Sequence, residues 1–365
     1  MIYIIIGTKA QLIKMAPVMR ELKKNSIPYA YVSTGQHKET IKDIKENFGI
    51  HDPEIELYQG KDIVSVKDMA VWFFGLIFNV LLNKNKIFGK KITRNDYFLV
   101  HGDTFSTLLG ALMGRILGAK VVHIESGLRS FNLWNPFPEE ITRLMVFRLS
   151  DIAFCQDEKS LDNLKNYKLK SFNTHGNTLY DAWRLFQKDY IKENKKENFG
   201  VVSMHRFENF NRRSHVEKIV GLLEILSEDH RLFFIMHKVT EKSLKRFNLY
   251  DKILSNKNIT ILPRMSYFDF ISILNSSRFL VSDGGSNQEE CFYMGKPVIL
   301  FRHKTERFEG VGGNCLISNF EENLVRCFSR NPDKYIRPAL SKEVSPSTII
   351  VDHLVKIMSE CKHEE

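Results

Sequence analysis

Phe98-Leu99-Val100-His101-Gly102-Asp103 is an apolar run that stops abruptly on a glycine and an acid. A helix-like stretch, FSTLLGALMGRILG (105–118), follows it, and a second apolar run, AKVVHI (119–124), stops on Glu125. Strand, helix and strand in that order predict a βαβ unit with parallel strands. A buried strand gains nothing from a carboxylate at its end, whereas an open α/β sheet binds its ligands beyond the carboxyl ends of its strands. Glu139 lies 14 residues past Glu125, beside prolines. Three acids in such places read as a site.

The same rhythm extends in both directions. YIII (3–6), YAYVST (29–34), YFLVHG (97–102), KVVHI (120–124) and DIAFCQ (151–156) read as strands of a first half. FGVVSM (199–204), LFFIMH (232–237), ITIL (259–262), FLVSDGG (279–285) and PVILFR (297–302) repeat the pattern in a second. Between them lies GNTLYDAWRLFQKDYIKENKKENFG (176–200), whose lysine- and asparagine-rich end reads as a solvated linker. At 365 residues the chain is long enough for two cores. The expected fold is α/β, with two Rossmann-like αβα domains and a cleft between them. The domain bounds are set at 1–180 and 181–345, and the tail at 346–362 is a further helix, with Ile349, Ile350, Leu354 and Ile357 at helical spacing.

Composition narrows the function. The chain is 43% hydrophobic and 26% charged, as a globular protein is, with a net charge of +10 that favours anionic partners. No nucleic-acid recognition motif accompanies that charge, so anionic small molecules or an anionic lipid surface fit it better. The five cysteines, Cys155, Cys291, Cys315, Cys327 and Cys361, show no metal-ligand spacing and read as reduced thiols, most of them buried. Met1 leads straight into a strand, so no signal peptide is expected, and the expected location is the cytoplasm, at the inner face of the membrane if the next segment touches lipid.

That segment, MAVWFFGLIFNVLL (Met69–Leu82), has 14 residues, no charge and apolar side chains on every face. It runs into NKNKIFGKKITR (83–94), with five basic residues and no acid. It is too short to span a bilayer, which takes about 20 residues. Residues 69–91 are therefore expected either to lie on a membrane surface or to be buried between domains or subunits.

Further residues suit phosphate and sugar binding. Gly7 ends the first strand, and Lys9 and Lys14 flank the helix start after it, where free amides attract anions. In the second half, Asp283-Gly284-Gly285-Ser286 follows a strand and a helix is expected to open at Asn287. The two glycines allow amides to approach a diphosphate, Ser286 adds a hydroxyl, and Glu290 is placed to hold ribose hydroxyls, while Glu289 reads as a solvated helix charge. His205 and Arg206 end another strand as a cationic pair, and His237 ends a third. His101 and His123 lie within strands and are read as satisfied core histidines.

Taken in order, GTKAQLIKMAP (7–17), VHGDT (100–104), HIESGLR (123–129), PFPEEITR (136–143), THGNTLYDA (174–182), MHRFEN (204–209), DGGSNQEE (283–290) with GKPVIL (295–300), and TERFEG (305–310) resemble the UDP-N-acetylglucosamine 2-epimerase family in its non-hydrolysing branch. The resemblance runs from about residue 4 to residue 317. It implies a glycosyltransferase-B-type fold, a homodimer, and a last helix that crosses back to the first domain. It also implies expulsion of UDP to leave a 2-acetamidoglucal, and re-addition with the proton on the opposite face of C2. Asp103, Glu125, Glu139 and His205 fall on the family's catalytic positions. Lys9, Lys14, Arg143, Arg206, His237, Gly284, Gly285, Ser286, Glu290 and Arg307 are assigned to substrate binding. No metal or redox cofactor is implied.

The chain departs from the family at three points. GTKAQ stands where the family reads GTRPE, Gly-Gly-Ser stands in for Ser-Gly-Gly, and GQHKET (35–40) keeps only Gln36 and His37 of the family's regulatory stretch. The expected function is therefore interconversion of UDP-GlcNAc and UDP-ManNAc, or a related UDP-HexNAc, for surface polysaccharide synthesis. The alternative is a membrane-associated glycosyltransferase of the same fold that uses a UDP-sugar donor and a lipid-linked acceptor.

Overall fold

The structure is a computed structural model that describes every residue except 37–40, 61–62, 64–65, 135–136, 191–196, 306 and 364–365. His37 and the lysine-rich end of the expected linker therefore lie largely outside the described residues. The chain divides into two compact units, Met1–Ala182 with Glu343–Glu365, and Trp183–Lys342.

The first unit is built on β1 (Ile2–Ile6), β2 (Tyr29–Ser33), β3 (Ile55–Glu56), β4 (Tyr97–His101), β5 (Lys120–Ser126), β6 (Ile152–Cys155) and β7 (Lys170–Asn173). They form a parallel sheet in the order β3-β2-β1-β4-β5-β6-β7. Every residue of β1 and β4 is buried, the burial expected of central strands covered on both faces. The second unit repeats the scheme with β8 (Phe199–Ser203), β9 (Arg231–Ile235), β10 (Ile259–Leu262), β11 (Phe279–Ser282), β12 (Val298–Leu300) and β13 (Cys315–Ile317). Its order is β10-β9-β8-β11-β12-β13, again parallel. β3, β7 and β13 are edge strands of two to four residues, too short for hydrophobic periodicity to reveal.

Each sheet reverses its strand order once, between β1 and β4 and between β8 and β11. These are topological switch points, where diverging loops leave a crevice beyond the strand ends. Asp103 follows β4, Glu125 sits near the end of β5, His205 follows β8 and Asp283 follows β11.

The uncharged segment lies within one helix, Val66–Phe88, whose backbone leaves helical geometry at Asn83. Trp72, Leu76 and Val80, spaced four apart, are buried in the first unit's core, and the Trp72 indole donates to the Thr34 carbonyl at 3.0 Å. Val71, Phe74, Phe78, Leu81 and Leu82 are exposed. No described helix is long and apolar enough to cross a membrane. The segment that leads to the lysine-rich end is a helix, Leu179–Tyr190. The final helix, Pro346–His363, belongs to the first unit: Ser347 donates its amide to Asp181 at 2.7 Å, and His353 lies 4.2 Å from the Phe172 ring. Cys155, Cys291 and Cys315 are buried free thiols, whereas Cys327 is exposed.

Candidate active site

At the first switch point the charges are paired and mostly buried. Lys14 points its ammonium at both oxygens of Glu125, at 2.7 and 2.9 Å. Asn177 donates to the same carboxylate at 2.9 Å, and His101 Nε2 lies 3.3 Å from its other oxygen. Lysine, glutamate and histidine side chains are each about 3–6% exposed. Lys14 is thus engaged with a carboxylate rather than held at the helix start, and His101, expected to be a core residue, borders the site.

Glu125 reaches this position through an irregularity. The β5–β6 register shifts between Ile124 and Ser126, and Glu125 has φ +60. A left-handed residue other than glycine costs about 1–3 kcal/mol and persists only where its surroundings enforce it. The bulge turns the side chain away from the alternation of the strand. His123, two residues earlier, is a satisfied core histidine as expected: its ring pairs with the Gly102 carbonyl and the Ser126 hydroxyl, both at 2.8 Å. Burial pushes its imidazole down to about 4, against weaker opposing contributions from that carbonyl and the nearby carboxylates.

Asp103 is held by a different cation. Arg143 donates through Nε at 2.9 Å and approaches with Nη2 at 2.6 Å. Behind it stands Glu140, fully buried, which accepts from Arg143 at 3.3 Å, from Arg129 at 2.6 Å and from the Ser130 amide at 2.9 Å. Burial pushes the Glu140 carboxyl up, but the Ser130 amide and the two guanidiniums outweigh it and hold it below its usual range. Glu139 opens the Glu139–Leu149 helix, about one turn before Arg143. Glu140, beside it, is the acid that anchors Arg143, and a Glu-Glu doublet at a helix start does not show in the sequence which member meets an arginine.

The loop after β1 is closed rather than open. A Cβ on Gly7 would lie 1.9 Å from the Ser106 hydroxyl, so this glycine lets the end of β1 approach the Phe105–Leu117 helix that follows β4. Thr8 and Gln11 form a capping box at the Lys9–Lys24 helix. Gln11 accepts from the Gly7 and Thr8 amides at 2.9 and 3.1 Å and donates to the His101 carbonyl at 2.8 Å and Thr107 at 3.0 Å. Lys9 is half-buried at the first helical position.

The second switch point is organised by Asp283, in the sequence merely the acid before Gly284-Gly285. Fully buried, it accepts the His205 amide at 3.0 Å, the Arg206 amide at 3.0 Å and the Asn209 side chain at 3.0 Å. His205 is left 47% exposed, its ring 4.9 Å from that of His237. The Arg206 side chain turns to Glu208 at 3.2 Å, and His237 pairs with Ser203 at 3.2 Å.

The following helix, Gly285–Met294, starts two residues earlier than expected, with Gly284 as its N-cap. No side chain caps it, and Ser286 sits half-buried in its first turn. Glu290 is buried and accepts from Asn287 at 3.0 Å. Burial and the charge on Glu290 hold the Tyr267 hydroxyl well above its ordinary range. Glu289 is not the solvated charge expected: it is fully buried and bound to Arg307 at 2.8 Å. That pair seats the Arg307 side chain against Gly285, where a Cβ would lie 3.3 Å from Arg307 Nε.

A family model for UDP-N-acetylglucosamine 2-epimerase matches residues 20–342. The chain belongs to that family. It is 31% identical over 344 residues to the UDP-N-acetylglucosamine 2-epimerase of Methanocaldococcus jannaschii, covering 88% of this chain and 90% of that one. It is likewise 31% identical over 352 residues to the enzyme of that name from Bacillus subtilis, covering 91% and 87%. A crystal structure of the Methanocaldococcus jannaschii UDP-GlcNAc 2-epimerase in complex with UDP-GlcNAc and UDP matches with a TM-score of 0.80 at 28% identity, over 97% of this chain and 99% of that one. The two Rossmann-like domains are those of the glycosyltransferase-B class.

Within this epimerase family the Gln11 departure has a clear local consequence. A glutamate there accepts the same two amides but has no N–H for the His101 carbonyl and Thr107, which Gln11 joins to the β1 loop. Gln36, the described part of the regulatory stretch, accepts from Ser106 at 2.6 Å and is buried.

Proposed function

We propose that this protein interconverts UDP-GlcNAc and UDP-ManNAc, or the corresponding pair of another UDP-HexNAc, by eliminating and re-adding UDP. A base takes the proton from C2 as the C1–O bond breaks and its electron pair leaves with UDP. UDP then returns to C1, and an acid delivers a proton to the other face of C2. The observation that carries this reading is the pair of carboxylates at adjacent strand ends, Glu125 against Lys14 and Asn177, and Asp103 against Arg143. Two differently held carboxylates suit removal on one face and return on the other. Glu139 completes the acid/base group.

The second unit supplies the nucleotide-binding groups. Gly284, Gly285 and Ser286 offer an uncapped helix start to the diphosphate, Glu290 binds the ribose, and His205 with Arg206 meets the departing charge. Lys9, His237 and Arg307 add to the attraction for an anionic substrate. The product feeds surface polysaccharide synthesis. Incubation with UDP-GlcNAc in heavy water tests the reading: deuterium should enter at C2 and the manno epimer should appear by NMR. Absence of exchange with every UDP-HexNAc in a panel overturns it.

Val71, Phe74, Phe78, Leu81 and Leu82 form the face on which a second copy of the chain docks, giving a homodimer. The nucleotide-sugar substrate and the free thiols fit the cytoplasm. Sedimentation should show a dimer that the double variant Phe74→Glu/Phe78→Glu converts to monomer. A monomeric parent that floats with anionic vesicles would favour the inner membrane face instead.

A further inference from the structure

We propose that one buried water molecule stands behind Glu125, held by the Thr178 hydroxyl, and that Asn177 and Thr178 are positioning residues for the Glu125 carboxylate. The catalytic half of this inference rests on the epimerase reading above; the water itself does not.

A cavity of about 10 Å³ lies against Glu125, with Gln156, Asn177 and Thr178 on its polar side and Ile124, Phe154 and Ile350 closing its apolar side. That is close to the roughly 10–15 Å³ one water requires, and such a water also needs two to four polar partners. Thr178 is 3% exposed, and its Oγ1 is buried with no hydrogen-bond partner among the described residues. A hydroxyl buried in that way is strongly disfavoured unless something completes it. The neighbouring polar groups have their directions set. Asn177 accepts the Leu179 amide at 2.9 Å through Oδ1, so its NH₂ must face Glu125 at 2.9 Å and Gln156 at 3.1 Å. Thr174 turns its hydroxyl away, to the carbonyls of Cys155 and Gly176 at 2.9 and 2.7 Å.

The final helix closes the space. Ile350 comes from that helix, whose first turn is pinned by the Ser347–Asp181 bond. The cavity therefore has apolar walls, room for one water, and a polar side that includes the carboxylate. Glu125 has a left-handed backbone, so its side-chain direction depends on the groups around it. Lys14 grips both of its oxygens and Asn177 donates to Oε1, with the water on Thr178 behind them.

The test uses full-length Thr178→Val, which keeps the shape and removes the hydroxyl, and Thr178→Ser, which restores it. High-resolution crystal structures should show the water in the parent and in Thr178→Ser, and none in Thr178→Val. In the C2 exchange assay, Thr178→Val and Asn177→Ala should lose about ten- to a hundredfold in kcat, as a slightly misplaced catalytic group does. KM should hold within about twofold, because neither residue is assigned a substrate contact, and Thr178→Ser should recover the parent kcat. A parent structure with no water in the cavity overturns the site, whatever the activity. Thr178→Val turning over like the parent, or Thr178→Ser failing to recover kcat, overturns the positioning role. A parent that exchanges no UDP-HexNAc removes the epimerase reading and the positioning role with it, while the crystallographic arm still decides the water.

Discussion

The two switch points share a topology and differ in what fills them. In the first unit the strand-glycine-helix turn is shut: Gly7 lies against Ser106, and the cations behind it are spent on carboxylates, Lys14 on Glu125 and Arg143 on Asp103. In the second, the buried Asp283 carboxylate faces inward to shape the His205 loop, and the helix at Gly285 starts with no side-chain cap. One crevice presents carboxylates paired with cations, proposed above for proton transfer, and the other presents helix-start amides, an exposed histidine and a buried glutamate, proposed above for the nucleotide. A glycine after a strand therefore has no single meaning. In one unit it permits close packing, and in the other it leaves a helix start open.

The division can be broken most directly by substitution on each side. Asp103→Asn and Glu139→Gln should each lower C2 exchange by about 10²- to 10⁴-fold, the usual contribution of a general acid or base. Calorimetry should find UDP affinity within about twofold of the parent. Glu290→Ala should do the reverse, weakening UDP about ten- to a hundredfold through loss of a charge-assisted hydrogen bond, with a smaller effect on kcat. Equal loss of UDP affinity in Asp103→Asn and Glu290→Ala would end the division of labour.

A second contrast concerns the histidines. His123 is buried and held near 4, below its ordinary 6.5, so folding favours its neutral form. Its contribution is therefore complete above pH 6.5 and is lost as pH falls toward 4, a change of about 3 kcal/mol. The melting temperature should fall across that window, and the fall should be smaller in His123→Gln. His205 in the other unit is, by contrast, 47% exposed.

The smallest effect separates the glycines. Gly7→Ala should cost about 1–3 kcal/mol through overpacking against Ser106, seen as a lower denaturation midpoint. Gly285→Ala meets the Arg307 side chain at 3.3 Å rather than a hydroxyl at 1.9 Å, so stability should fall less than in Gly7→Ala while UDP binding weakens. Similar denaturation midpoints for the two variants would mean that the two turns are alike after all.

Much of this was legible in the chain. The central strands announce themselves as unbroken apolar runs, and Asp103, Glu125, His205 and the Gly284-Gly285 pair stand out because each interrupts such a run where a strand must end. Glu140, Asp283 and Glu289 were not legible. Each lies next to a more conspicuous acid or glycine, and only burial reveals that it anchors an arginine or a loop. Asn177 and Thr178 stand within the THGNTLYDA stretch with nothing in the sequence to name their partner, yet they adjoin Glu125. The exposed half of the Val66–Phe88 helix was equally hidden, since an uncharged run does not say which of its faces a core will take.

The sequence alone determined the parallel α/β architecture, the two-unit plan, the family and the residue types of the site. Those follow from local alternation of apolar and turn-forming residues and from ordered motifs, which need no partners to be read. The tertiary structure decided which charge meets which: Lys14 with Glu125 across 111 residues, Arg143 with Asp103 across 40, and Asn177 with Glu125 across 52. Ion pairs and buried hydrogen bonds depend on distance and desolvation, and neither exists until the strands are laid side by side.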